Sequence, residues 1–168
     1  MTLVEIMVAT VIGTLVLAAA ASLMLYNARS LATLTNYVDL DQYSRRAVDR
    51  LSQDIRQATA LISFTATELQ FSTARGTNVL YYIYDPTART LARRDGSTRE
   101  VLLVGCDALT FTVYGRNNSS NSFDQFPVST AADAKLIKLN WSCSRTLLGS
   151  AVHTESVQTA KLVMRKQD

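Results

Sequence analysis

Glu5 is the first ionisable side chain of the sequence. It stands at the edge of twenty consecutive residues, Ile6 to Leu25, that contain no charge and no proline. Carrying a carboxylate into an apolar medium costs roughly 2.5 kcal/mol or more, so an acid in this position reads as functional and requires a cation. No Lys or Arg precedes Arg29. The α-amino group of Met1, on the same chain or on a neighbouring copy, is the only cation at that depth. The chemistry on offer is ion pairing in an apolar setting.

Other candidates are fewer. Cys106 and Cys143 are the only cysteines. In a chain whose N-terminal segment implies export they read as a disulfide, which would contribute roughly 3–4 kcal/mol by closing the loop between them. Two buried thiols are the alternative, and the spacing excludes a CxxC-type metal or redox site. Arg89, Arg93, Arg94 and Arg99 cluster around Asp95-Gly96. They read either as a surface patch for DNA or anionic polysaccharide, or, more simply, as charges that keep a sheet edge from pairing with another sheet. The single histidine, His153, sits beside Thr154 and Glu155 in a polar stretch, which suits a solvated loop better than a general base. The sequence has no G-x-S-x-G, G-x-G-x-x-G or phosphate-binding loop, and Asp39, Asp41, Asp85, Asp95 and Asp107 lack calcium-loop spacing. Neither catalysis nor a metal or cofactor is expected. A net charge of +3 is too small to establish a nucleic-acid partner.

The elements that must position Glu5 come next. Twenty residues at about 1.5 Å each reach ~30 Å, the thickness of a bilayer core. Thr10, Thr14 and Ser22 are the only polar side chains within the run, and Tyr26, Asn27 and Arg29 mark its exit. A hydrophobic first residue, then Thr2, Leu3 and Glu5, then an unbroken apolar helix: this pattern resembles the mature N-terminus of type IV pilins and of the pseudopilins of type II secretion. The resemblance covers residues 1–30. It implies that a prepilin peptidase removes a short basic leader before Met1 and that Met1 is then methylated. It further implies that Glu5 neutralises the N-terminus of an adjacent subunit, with Met1, Thr2, Leu3 and Glu5 forming the assembly determinant. The chain would rest in the inner membrane as a single-pass protein with a periplasmic C-terminal domain. An assembly platform would then extract it into an extracellular pilus or a periplasmic pseudopilus, as a homo-oligomer or together with other pilins. Ser22 stands where many pilins carry a proline, and Gly13 is the one residue of the segment that intrinsically weakens a helix. A cleaved signal peptide would find an A-x-A site in Ala18–Ala21, but the segment lacks a basic start, carries an acid and exceeds the usual 7–15 apolar residues. A plain membrane anchor leaves Glu5 unexplained. The absence of Lys or Arg before the span leads to the expectation that the gene encodes a basic segment upstream.

Beyond the span, Leu40, Tyr43, Ala47, Leu51, Ile55, Ala58 and Ile62 recur at helical intervals, and no Pro or Gly occurs between Thr14 and Gly76. One continuous helix to about Ala60, ~90 Å long, is expected. Residues 1–26 form its membrane and filament-core half, 27–62 its amphipathic continuation, and 63–168 an antiparallel β-sheet domain. The fold class is α+β. Strands are expected at Glu68–Ser72, Val79–Tyr84, Thr90–Arg94, Arg99–Val104, Ala108–Tyr114, Lys135–Cys143 and Val157–Arg165, with a polar loop over 115–134. Matching the apolar faces of two of these strands sets Val113 opposite Ile137 and Leu109 opposite Trp141. That register leaves Cys143 one residue out of step with Cys106, so a bulge is expected at Gly105–Asp107. The segment order, and Asp54–Gln57 late in the helix, resemble the J-type pseudopilins and larger minor pilins. A filament subunit is the leading expectation. A minor pseudopilin at a secretion tip and a surface-displayed DNA- or ligand-binding pilin are the alternatives.

Overall fold

The computed structural model describes residues 2–73, 79–117, 125–147 and 150–164. It consists of one long helix followed by antiparallel strands, the α+β arrangement expected from the sequence. Helix α1 spans Leu3–Gln57, about 80 Å at the standard rise. Thr2 caps it. The Glu5 N–H donates to Thr2 Oγ1 at 3.4 Å and the Thr2 N–H donates to Glu5 Oε2 at 3.0 Å. This reciprocal capping box satisfies donors that the first turn would otherwise leave unpaired, and it sets a negative charge at the positive end of the helix dipole.

The helix is two objects in one. From Leu3 to Val38 it is largely exposed, whereas from Leu40 onward it buries Leu40, Ser44, Ala47, Leu51, Asp54 and Ile55. Leu40, Ala47, Leu51 and Ile55 are the stripe expected from the sequence. Tyr43 instead lies outward, under the guanidinium of Arg145 at 5.6 Å, and the serine and aspartate take two of the inward positions.

α1 stops at Gln57, before the expected end near Ala60 and the expected boundary at 62. Residues Ala58–Phe64 form strand β1, which no sequence signal separated from the helix. The reason is visible in the ladder. β1 pairs with β2 (Glu68–Thr73) with irregularities between Ala58 and Ala60 and between Leu61 and Ser63. Each irregularity delays the alternation of faces by a residue. Ala58 and Leu61 are therefore both buried at a spacing of three, which imitates a helical turn, while Ile62 lies exposed.

β3 (Val79–Asp85), β4 (Thr90–Asp95) and β5 (Thr98–Val104) complete a five-stranded meander in the order β1-β2-β3-β4-β5. β6 (Cys106–Tyr114), β7 (Leu136–Leu147) and β8 (Ser150–Val163) form a second, three-stranded sheet in sequence order. β7 and β8 are longer than expected. His153, expected in a loop, lies within β8, which starts at Ser150 rather than Val157; Arg165 lies outside the described residues. Among its described residues the polar 115–134 stretch contains one 3-10 turn, Ala131–Asp133, and pairs by a bridge from Pro127 to Tyr114. Its Ser119–Ser122 cluster lies outside the described residues.

The expected β6–β7 register is present: Leu109 faces Trp141, Phe111 faces Leu139 and Val113 faces Ile137. The expected irregularity falls between Cys106 and Ala108, and it brings Cys106 opposite Cys143. Gly105 makes this possible. Its φ of +72° is the left-handed region that a Cβ disfavours, and a Cβ there would lie 2.7 Å from the Ser144 carbonyl oxygen. One continuous core fills the space between the C-terminal half of α1 and the two sheets, and Phe71, Tyr82, Leu51, Ile55 and Leu139 are among its fully enclosed side chains. The sheets are joined by backbone bonds from Cys106 N–H to Arg89 O and from Phe111 N–H to Ala66 O.

Candidate functional site: the exposed apolar rod and its anchorage

Between Leu3 and Val38 the only charged side chains are Glu5 and Arg29. The large apolar side chains there are open to their surroundings: Leu3 is 76 % exposed and Met24 75 %. An apolar surface of this extent on one helix is far beyond the scattered exposed hydrophobics of a soluble domain. Its most apolar window has a mean hydropathy of 2.3, and the helix is long and apolar enough to cross a membrane. The polar groups inside the run are already neutralised. Thr10 Oγ1 donates to Met7 O at 2.9 Å, Thr14 Oγ1 to Val11 O at 2.9 Å, and Ser22 Oγ to Ala18 O at 2.8 Å. With these hydroxyls bonded back to the helix, the surface from Ile6 to Leu25 offers a neighbour, whether lipid or protein, almost nothing but hydrocarbon.

Thr2, Leu3 and Glu5 lie together at the start of α1; Met1 lies outside the described residues. Glu5 is exposed, and its capping bond to the Thr2 N–H occupies one carboxylate oxygen. The acid is thus preorganised at the tip of the rod while still open to an incoming cation.

The other end of the helix is fastened to the sheets by a buried polar network that sequence reasoning missed. Arg93 Nε donates to Asp54 Oδ2 at 2.6 Å and Arg93 Nη2 to Asp54 Oδ1 at 3.3 Å, while the Tyr82 hydroxyl donates to Asp54 Oδ2 at 2.5 Å. Arg93 Nη2 also reaches Asp95 Oδ2 at 3.1 Å. Asp54 and Arg93 are each 7 % exposed. Burial pulls the Arg93 guanidinium downward, but its bonds to Asp54 outweigh that and hold it above its ordinary range. Burial, reinforced by the bond to Asp54, pushes the Tyr82 phenol upward. Arg93 therefore stays charged and Tyr82 stays a neutral phenol donor. Ten residues earlier, Ser44 Oγ accepts from Trp141 Nε1 at 3.1 Å, tying the same helix face to β7. The signal for both residues was their phase: Leu40, Ser44, Ala47, Leu51 and Asp54 recur at 4, 3, 4 and 3, so a serine and an acid occupy core positions of the stripe.

The expected arginine patch does not exist as a unit. Arg93 points into the core to meet Asp54. Arg89, whose φ is +54°, turns toward the sheet junction, where it pairs with Asp107 and bonds Ser144 Oγ at 3.0 Å. Arg94 and Arg99 alone remain on the outer surface. Alternation of faces along β4 separates Arg93 from Arg94.

Cys106 and Cys143, the residues of the expected disulfide, lie opposite one another as buried thiols in this structure. The Cys106 thiol, hydrogen-bonded to Cys143 and desolvated, is raised well above the ordinary thiol range, and that bond lowers Cys143. Directly opposed residues of an antiparallel ladder have Cα atoms about 4.5–5.5 Å apart, within the span of a disulfide. Incubation with oxidised glutathione should therefore convert the pair to a bridge, its two electrons and two thiol protons passing to the glutathione disulfide, which leaves as two glutathione thiols. The melting temperature should rise on the order of 10 °C over the dithiothreitol-treated protein. Cys143→Ala should remove the difference, and an identical melt in both buffers would contradict it.

No protein-family model matches the chain. A search of curated proteins likewise finds no significant match.

Proposed function

We propose that this chain is a structural subunit of a type IV pilus-like filament. It is held in the inner membrane by the apolar half of α1 and then packed into a helical assembly through that same surface. One observation carries the reading: a 36-residue apolar rod, Leu3–Val38, projects uncovered from a well-packed head and ends in a lone preorganised acid. A membrane alone explains the rod, and the cap with Thr2 uses one carboxylate oxygen of Glu5, but neither uses its charge. A row of identical rods accommodates both, because van der Waals packing joins the helices and the acid meets the α-amino group of a neighbour's Met1. The rigid attachment through Asp54, Arg93 and Tyr82 supports the same reading, since a filament must transmit the position of its core helices to its heads. Processing by a prepilin peptidase and methylation of Met1 belong to this proposal.

The test is mass spectrometry of the protein purified from its native envelope, combined with electron microscopy of sheared surface fractions. Met1 is expected to be the true N-terminus, bearing a free or methylated amine, with the protein present in filaments. A native N-terminus upstream of Met1, or a protein found only as a membrane-bound monomer, would count against it.

A further inference from the structure

β8 is an outer strand of the three-stranded sheet, bonded to β7 on one side only. Which of its backbone groups remain free follows from one bond. The Met164 N–H donates to Lys135 O at 2.9 Å, and the register continues with Val163 opposite Leu136 and Leu162 opposite Ile137. Bonded and unbonded pairs alternate along an antiparallel ladder. Leu162 and Ala160 therefore turn their N–H and C=O groups toward β7, whereas Thr159, Lys161 and Val163 turn theirs outward. All three are exposed, Val163 at 68 %, and among the described residues their outward groups meet no backbone partner. β5, an outer strand of the larger sheet, is guarded instead by adjacent charges of both signs, Arg99 and Glu100, the latter 3.9 Å from Arg50.

α1 stands beside this edge without sealing it. Arg45, Val48, Asp49, Thr159 and Ala160 border a depression of about 340 Å³, and Ile55, Arg56, Lys161, Leu162 and Val163 border a second of about 490 Å³. Neighbouring side chains of a strand point to opposite faces, so consecutive residues share a depression only where it follows the strand edge. The two depressions succeed one another in the same order on both elements. From Arg45 to Arg56 the helix advances about 16 Å, and from Gln158 to Val163 the strand advances about 16 Å. Together they form a groove as long as about five extended residues. Arg45 is paired with Asp41 at 2.7 Å, and Asp49 lies beside it. At the other end, among the described residues, no carboxylate lies within ion-pair distance of Arg56 or Lys161.

We propose that this groove docks an extended segment of another protein, which adds a fourth strand to the smaller sheet at β8 and presents carboxylates to Arg56 and Lys161. Strand addition supplies affinity through main-chain bonds, here to the outward groups of Thr159, Lys161 and Val163, and the flanking side chains supply selectivity. A segment of alternating apolar and acidic residues fits. Its acids fall across from Lys161, where opposite charges stabilise a ladder, and its apolar residues fall over Leu162 and Ile55. A lysine that merely guards the edge explains neither Arg56 beside the same depression nor the space held open along the strand. The occupant is not a second copy: acids at alternate positions occur in this sequence only at Asp39 and Asp41, and both belong to α1. The site lies wholly within the head, so it stands or falls separately from the filament reading.

The test titrates full-length protein in detergent micelles into a fluorescein-labelled octapeptide of alternating valine and glutamate, with the valine–lysine counterpart as control. The acidic peptide should bind saturably and the basic one should not. Hydrogen exchange read by mass spectrometry should slow roughly tenfold over residues 158–163 when the acidic peptide is added, and stay unchanged over β5. Lys161→Pro keeps the bonds to β7 and removes one outward N–H, so it should abolish binding. Arg56→Gln/Lys161→Gln leaves the backbone as it is and keeps the test decisive should the proline variant fail to fold. It should weaken binding roughly tenfold and erase the preference for the acidic peptide. No protection over residues 158–163 at millimolar peptide, protection of β5 in their place, or a double variant that binds like the wild type overturns the proposal. So does slow exchange of the Thr159, Lys161 and Val163 amides in the peptide-free protein, which would show the edge already covered.

Discussion

Asp54→Ala is expected to lower the stability of the head by about 3–5 kcal/mol, the cost of leaving a buried charge without its partner. Arg93, 7 % exposed, would keep only Asp95 close by, at 3.1 Å. The Tyr82 hydroxyl would lose its acceptor at a further cost of about 1 kcal/mol. Since domains of this size are stable by only about 5–15 kcal/mol, the melting temperature should fall by roughly 15 °C or more, read by circular dichroism of the full chain in detergent. The Arg93→Met/Asp54→Leu double variant separates this cause from a simple loss of contacts. An ion pair replaced by apolar side chains of similar volume is often neutral or stabilising, so the double variant should recover most of the loss. A double variant as unstable as Asp54→Ala would show that the pair stabilises the head through more than mutual charge compensation.

The effect should reach beyond stability. Asp54 lies in the last turn of α1, and Arg93 lies on an inner strand of the larger sheet. The pair therefore joins the base of the rod to the centre of the head. A filament built from Asp54→Ala subunits, if any forms, should show heads poorly ordered relative to the core helices.

What the sequence made legible follows from how each element declares itself. The apolar run and Glu5 are local signals, and they needed no tertiary information. The β6–β7 register was legible because Leu109, Phe111 and Val113 had only one way to share a face with Ile137, Leu139 and Trp141. β1 was not legible: its two irregularities gave Ala58 and Leu61 a helical spacing, and only pairing with β2 reveals the strand. The arginines misled for a related reason. Arg89, Arg93, Arg94 and Arg99 are close in sequence, but strand alternation and a left-handed residue at Arg89 send them in three directions. Ser44 and Asp54 were hidden by their chemistry. A polar residue in a core phase makes sense only once Trp141 and Arg93 are known to arrive there from strands distant in sequence.

Glu5→Ala is expected to abolish filament assembly while leaving the protein folded and in the membrane, but this variant alone does not identify the cause. Glu5 does two things: its carboxylate caps α1 through the Thr2 N–H, and its charge is available to a neighbour's amine. The cap is worth about 1 kcal/mol, whereas leaving a neighbour's ammonium, or the acid itself, unpaired among packed apolar helices costs several. Glu5→Gln distinguishes the two roles, because glutamine serves equally well as the reciprocal partner in a capping box but carries no charge. If charge pairing drives docking, Gln and Ala should fail alike, and a deficit of about 3 kcal/mol would lower the equilibrium for adding a subunit roughly a hundredfold. If capping alone mattered, Glu5→Gln would assemble normally and Thr2→Val would fail. Quantitative immunoblotting of sheared filaments against total membrane protein reads all four chains. Wild-type yield from Glu5→Gln would remove the ion pair from the assembly mechanism.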